Sequence, residues 1–168
     1  MLILALETKN CMNKLLLSDT FDHFSFIEGE ITTFSKFTID GYLQKDFYDE
    51  ASLASLSDNQ QYATWKELRE FCFSIIKGKR TPLNFKFIYA LSKELTAKLL
   101  QDENLTYSLE DIQGLYLNFK YDGTLLQCTT GISMKLFTLD KSLERAWDKT
   151  TQQLFTEYGI TFNQACTA

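Results

Sequence analysis

The segment Ile3-Leu4-Ala5-Leu6 recurs as Ile88-Tyr89-Ala90-Leu91, and each copy is followed by a stretch of helical period with the same charge layout. Lys9, Lys14, Leu15 and Leu16 after the first copy find counterparts in Lys93, Lys98, Leu99 and Leu100 after the second. A looser echo joins residues 32–40 to residues 129–140. A chain built this way needs a fold that accommodates strand, helix and about three antiparallel strands twice. The reading is an α+β domain, an antiparallel sheet with helices packed on it, from two pseudo-repeated units at about residues 1–41 and 85–141. Residues 1–159 form one globular domain on this reading, and residues 160–168 a flexible tail.

Local patterns fill in the units. Residues 2–6 read as a buried strand. At about 100° per residue, Lys9, Asn10, Asn13 and Lys14 share one side of a helix, with Cys11, Met12, Leu15 and Leu16 opposite. From Lys93 the same construction sets Lys93, Glu94, Ala97 and Lys98 against Leu95, Thr96, Leu99 and Leu100, with Ser92 as N-cap. Residues 21–42 are strand-rich, with Glu28-Gly29-Glu30 as a turn and Phe37-Thr38-Ile39 in the next strand. Residues 114–121 alternate, Asp122-Gly123 has the residue types of a type I′ hairpin turn, and residues 124–130 return. Residues 135–139 read as a further strand. Thr64 with Glu67 makes a capping box for a helix over residues 65–76, whose core stripe is Trp65, Leu68, Phe71, Cys72, Ile75 and Ile76. Asp140 caps a helix over residues 141–158 that stops at Gly159. Residues 44–61 form one long acidic loop.

The net charge of −5 opposes a general attraction to polyanions, although local charge departs from the mean. Between Lys66 and Lys86 six bases face two acids, whereas residues 40–58 hold five acids and one lysine. The aromatic content, with 14 Phe and 8 Tyr, suits a sheet covered by helices. Cys11, Cys72, Cys128 and Cys166 are far apart with no Cys-x-x-Cys spacing, and no apolar run spans a bilayer, so the expectation is a reduced cytoplasmic chain with no membrane partner.

Lys77-Gly78-Lys79-Arg80-Thr81-Pro82 gathers three cations near a glycine and could hold a phosphate or carboxylate. It also reads as a helix stop, with Gly78 at C′ and Pro82 barring continuation. It is no P-loop, because the cations follow a helix instead of opening one. His23 is the only histidine, so any histidine-assisted nucleophile must use it, yet it sits in an aromatic stretch that reads as strand. Asp19, Asp22 and His23 lack metal-ligand spacing. The paired lysines Lys9, Lys14, Lys93 and Lys98 could meet phosphates through charge and neighbouring amides, or form solvated helix faces. No residue is assigned a catalytic role, and no spacing points to a cofactor or metal.

Residues 76–82, Ile-Lys-Gly-Lys-Arg-Thr-Pro, and residues 137–144, Phe-Thr-Leu-Asp-Lys-Ser-Leu-Glu, followed by Ala146-Trp147-Asp148, resemble an uncharacterised family of Clostridium-type bacterial proteins. That resemblance covers most of the chain. It implies a bacterial cytoplasmic protein and brings no activity, substrate or catalytic residue. A more distant resemblance, in element order and lysine helices, is to the DNA sliding-clamp fold, whose paired strand-helix-strand units face DNA with their helices. The helices at Trp65 and Lys141 depart from that pattern, and encircling a duplex would require several copies. The combined expectation is a non-catalytic binding or assembly module contacting nucleic acid or another protein through Lys9, Lys14, Lys93 and Lys98, with Lys77, Lys79 and Arg80. An enzyme acting on a phosphorylated small molecule and a protein-interaction subunit are the alternatives, and homo-oligomerisation is left open.

Overall fold

A computed structural model describes residues 1–57 and 60–165. It is an α+β fold in which β1 (Ile3–Leu6), β2 (Ser25–Thr32), β3 (Lys36–Asp40), β4 (Asn84–Ala90), β5 (Ile112–Tyr121), β6 (Leu126–Met134) and β7 (Phe162–Gln164) make one antiparallel sheet. The strand order is β3-β2-β4-β5-β6-β1-β7. The helices are α1 (Thr8–Leu16), α2 (Glu50–Ser55), α3 (Trp65–Ile76), α4 (Lys93–Asp102) and α5 (Ser142–Glu157).

Strand alternation decides which face is covered. Gly29, Phe87, Phe119, Cys128 and Leu4 lie in one register row across five strands, and all are buried. Against that face α1 sets Cys11, Leu15 and Leu16, α3 sets Trp65 and Cys72, and α5 sets Leu143, Ala146, Trp147 and Phe155. Leu99 and Leu100 of α4 join the same core. The two tryptophans bury their rings and satisfy their single donors: Trp65 Nε1 donates to the Leu15 carbonyl at 2.7 Å, and Trp147 Nε1 to the Tyr116 carbonyl at 3.0 Å.

The two sequence units share the order strand, helix, strand, strand, but their pairings differ. β4 lies between β2 and β5, whereas β1 lies between β6 and β7. The echo between residues 37–40 and 137–140 also takes two conformations. The first is β3, but β6 ends at Met134 and residues 135–141 form a loop with Leu136, Phe137 and Leu139 exposed. The strand expected over residues 135–139 is therefore absent.

Other local expectations are corrected. Glu28-Gly29-Glu30 is mid-strand, not a turn: Gly29 faces the core, where an added Cβ would stand 2.7 Å from the Phe26 ring and 2.9 Å from Phe87. The chain reverses after Thr32 instead, and residues 21–24 form turns, so His23 is not in a strand. The Asp122 loop closes over four residues, with Asp122 Oδ1 accepting from the N–H groups of Thr124 and Leu125 and only Gly123 at positive φ, so it is not a type I′ turn. Phe71, placed in the core stripe, is exposed. The loop over residues 44–61 contains a 3-10 turn at Lys45–Phe47 and α2, capped by Asp49. Residues 160–165 are not a loose tail: Ile160 is buried, and β7 pairs with β1. Cys166 lies outside the described residues.

Candidate functional site

Among the described residues α1, α3, α4 and α5 bury side chains against one sheet face, α2 buries none, and the opposite face is the more exposed one. Its register row runs Thr38, Glu30, Lys86, Lys120, Gln127, Ala5 and Asn163 across all seven strands, and none of these is buried. Lys86 and Lys120 stand directly opposite each other on β4 and β5. Like charges so placed repel across the strands. Glu30 adjoins Lys86, but its ion pair is with Lys36, at 3.5 Å. Among the described residues neither Lys86 nor Lys120 forms an ion pair. Neither was singled out from the sequence, because opposition of two lysines 34 positions apart depends on a strand register that periodicity does not supply.

The Lys77–Arg80 segment joins α3 to β4 and lies off the same end of the sheet as Lys36, with Lys77, Lys79 and Arg80 all exposed. Gly78 has φ +155°, and nothing lies within 4 Å of where its Cβ would be. The helix does end there, the Lys77 N–H making its last helical bond to the Phe73 carbonyl at 2.7 Å, but Gly78 is not in the left-handed helical conformation expected of a C′ glycine. The four helix lysines are not gathered. β1 and β4 run in opposite directions in the sheet, so α1 starts at the Phe85 end and α4 at the Ala90 end. Lys9 and Lys93 are thereby separated along the strands by about 20 Å, the rise of β4. Lys14 is partly buried with its amine near Gly159, just past the C-terminal end of α5, where the helix dipole favours a cation. Lys98 lines a small cleft with Asp102 and Glu103.

Three clefts mark the opposite end of the sheet. One of about 470 Å³ lies between the end of β6 and the start of α5, walled by Ile132, Met134 and the 136–138 loop. The others, of about 410 and 200 Å³, share His23 as a common wall. The His23 ring lies 4.7 Å from that of Phe24, and Nε2 is 3.4 Å from the Tyr158 hydroxyl. Partial burial pushes the imidazole below its usual pKa, against the opposing pull of Asp22. Asp22 does not orient the ring, because Arg69 takes both its oxygens, at 2.9 and 3.0 Å. Cys11, Cys72 and Cys128 are buried free thiols, and burial raises each thiol pKa, to about 12 for Cys72. None is poised as a thiolate.

Fold and surface together define a class: an antiparallel sheet backed by helices on one side, with a polar, lysine-bearing open side. A family model described as a family of unknown function, DUF5721, matches residues 14–163, and the chain belongs to that family. No curated protein and no solved structure matches it. Among the described residues no helix is long and apolar enough to cross a membrane.

Proposed function

We propose that the chain is a non-catalytic binding module that takes an anionic polymer, nucleic acid, along its open sheet face. The observation that carries this reading is the opposed pair Lys86 and Lys120. Two cations held side by side cost the fold stability, and an anion laid between them relieves that cost. Lys77, Lys79 and Arg80 lie beyond the same end and add to the positive potential there, although the whole chain is acidic. This moves the proposed contact away from the lysine helices, since α1 and α4 begin at opposite ends of the sheet and Lys14 lies beside α5. The reading also places the protein in the cytoplasm, where nucleic acid is available to it.

Fluorescence anisotropy with labelled oligonucleotides, titrated over a salt series, tests the proposal. Binding at low salt should weaken as salt rises, and Lys86→Gln and Lys120→Gln should each flatten the log–log salt slope by about 0.7 to 0.9 unit. Gln at Lys9, Lys14, Lys93 and Lys98 together should change affinity less than that pair does. Absence of binding at low salt, or equal losses from both sets of substitutions, overturns it.

A further inference from the structure

The sheet stops on one side at β3, and the outer edge of that strand is open. Gly41 donates its N–H to the Ile27 carbonyl at 2.9 Å, which fixes Phe37 and Ile39, in step with Gly41, as the residues whose backbone groups bond to β2. Lys36, Thr38 and Asp40 therefore turn their N–H and C=O groups outward. Among the described residues none of these groups has a hydrogen-bond partner. An unpaired row of this kind is a template for one more strand.

The side chains along this edge match their own copy. Antiparallel pairing of two β3 strands about a twofold axis at Thr38 sets Lys36 opposite Asp40 of the second copy, Thr38 opposite Thr38, and Phe37 opposite Ile39. Lys36 with Asp40, and Thr38 with Thr38, are the pairs whose backbone groups face outward, so each exchanges both hydrogen bonds. A slip of two residues either way shortens the ladder and breaks the charge match. Lys36 already bridges Glu30 of its own β2 at 3.5 Å, an exposed pair that a new strand leaves in place. Asp40 is the unmet charge. It stands opposite Glu28 on β2, and neither acid has an ion-pair partner among the described residues. Lys36 of the second copy brings a cation there, its ammonium having donors left after Glu30. On the helix-bearing side Phe37 and Ile39 are only partly buried, and Phe34, 94% exposed, lies against Phe37 with ring centroids 5.8 Å apart. Pairing covers this apolar strip as well.

We infer that this chain forms a twofold dimer in which β3 pairs edge to edge with β3 of a second copy, joining the two sheets into one. The contact is isologous, so assembly stops at two chains. Lys36, Thr38 and Asp40 share the sheet face of Glu30 and Lys86, so the polar face runs on from one copy into the other. The inference goes beyond the proposed binding activity and stands without it.

Sedimentation equilibrium of the full chain provides the test. Wild type should pass from monomer to dimer as concentration rises, and no further. Lys36→Glu makes both ends of the edge acidic and Asp40→Lys makes both basic, so each variant alone should dimerise about ten-fold or more weakly than wild type. Both positions are exposed, and circular dichroism should show the fold intact. An equimolar mixture of the two variants restores opposite charges at both contacts, one of them with its signs exchanged, and should recover dimers holding one chain of each kind. A wild-type protein that stays monomeric at all concentrations overturns the inference. So does growth beyond the dimer, or undiminished dimerisation by either variant alone. A mixture that associates no more tightly than its components overturns it as well.

Discussion

The opposed lysines allow a test in which stability and binding move in opposite directions. In Lys120→Glu, the repulsion across β4 and β5 becomes an attraction to Lys86. Cross-strand charge pairs contribute roughly 0.2–1 kcal/mol, but Lys120 is exposed and its charge also favours the Asp122 carboxylate two residues on, an attraction that the variant turns to repulsion, so the net stabilisation should be about 0.2–0.5 kcal/mol. For a chain of this length that raises the melting temperature by about 0.5–2 °C. Lys86→Glu should not do the same, because position 86 also faces Glu30, and the new carboxylate would gain Lys120 as a neighbour while repelling Glu30. Thermal and urea unfolding of both variants at low and high salt is the assay. The stabilisation by Lys120→Glu should fade as salt screens the pair, and oligonucleotide affinity should fall in the same protein. A Lys120→Glu protein less stable than wild type at low salt, or stabilised equally at high salt, would refute the claim that the two lysines repel. Retained oligonucleotide affinity would remove the lysine pair from the binding face.

Short-range chemistry was the legible part of this sequence. The Thr64 and Glu67 capping box, the Ser92 cap and the Gly159 stop are set within a few residues, and each forms where the sequence places it. The antiparallel sheet with packed helices follows from alternation and amphipathic period in the same way. Long-range partners decided the failures. Glycine between two glutamates has turn composition, yet Gly29 is the one residue type that leaves room for Phe26 and Phe87 above the sheet, a fact visible only when β4 is beside β2. Residues 137–140 copy the composition of β3 but have no strand to pair with, so the same Phe-Thr-x-Asp pattern becomes an exposed loop. β7 went unseen because three residues carry too little pattern to signal a strand until β1 offers its edge.

The candidate surface failed to appear in the sequence for the same reason. Lysines at matching offsets after two similar strands look like one face, but strand direction sends α1 and α4 to opposite ends of the sheet and separates them. Lys86 and Lys120 share no local motif and meet only through register. The basic stretch between Lys66 and Lys86 was visible as composition. What the fold adds is that its C-terminal part lies beside exposed Phe34 and Leu125, which are remote in sequence.

Three further substitutions probe the packing and the cleft. Gly41→Ala would place a Cβ 1.8 Å from the Phe26 carbonyl oxygen, where the backbone itself must move, and would strain the bonds from Gly41 N–H to Ile27 and from Ala63 N–H to Gly41. Overpacking plus weakened hydrogen bonds should cost about 3 kcal/mol by urea unfolding, whereas Gly131→Ala, whose nearest contact is Tyr116 Cβ at 3.9 Å, should lie within about 0.5 kcal/mol of wild type or stabilise. Equal effects would contradict the close approach at Gly41. His23→Gln tests the cleft through pH. Partial burial holds the folded imidazole below its unfolded value of 6.5, so in the window just under 6.5 the unfolded chain binds more protons than the folded one. Stability from this residue is therefore present above that window and declines as pH falls through it. Asp22 opposes the shift but is held by Arg69, while Tyr158, Lys98, Asp102 and Glu103 face the same region from α4 and α5. Urea midpoints of wild type and His23→Gln between pH 5 and 8 should converge or cross in acid, wild type losing the more. A wild type that gains on the variant as pH falls would show instead that the folded state favours the protonated ring, and that the acids across the cleft outweigh burial.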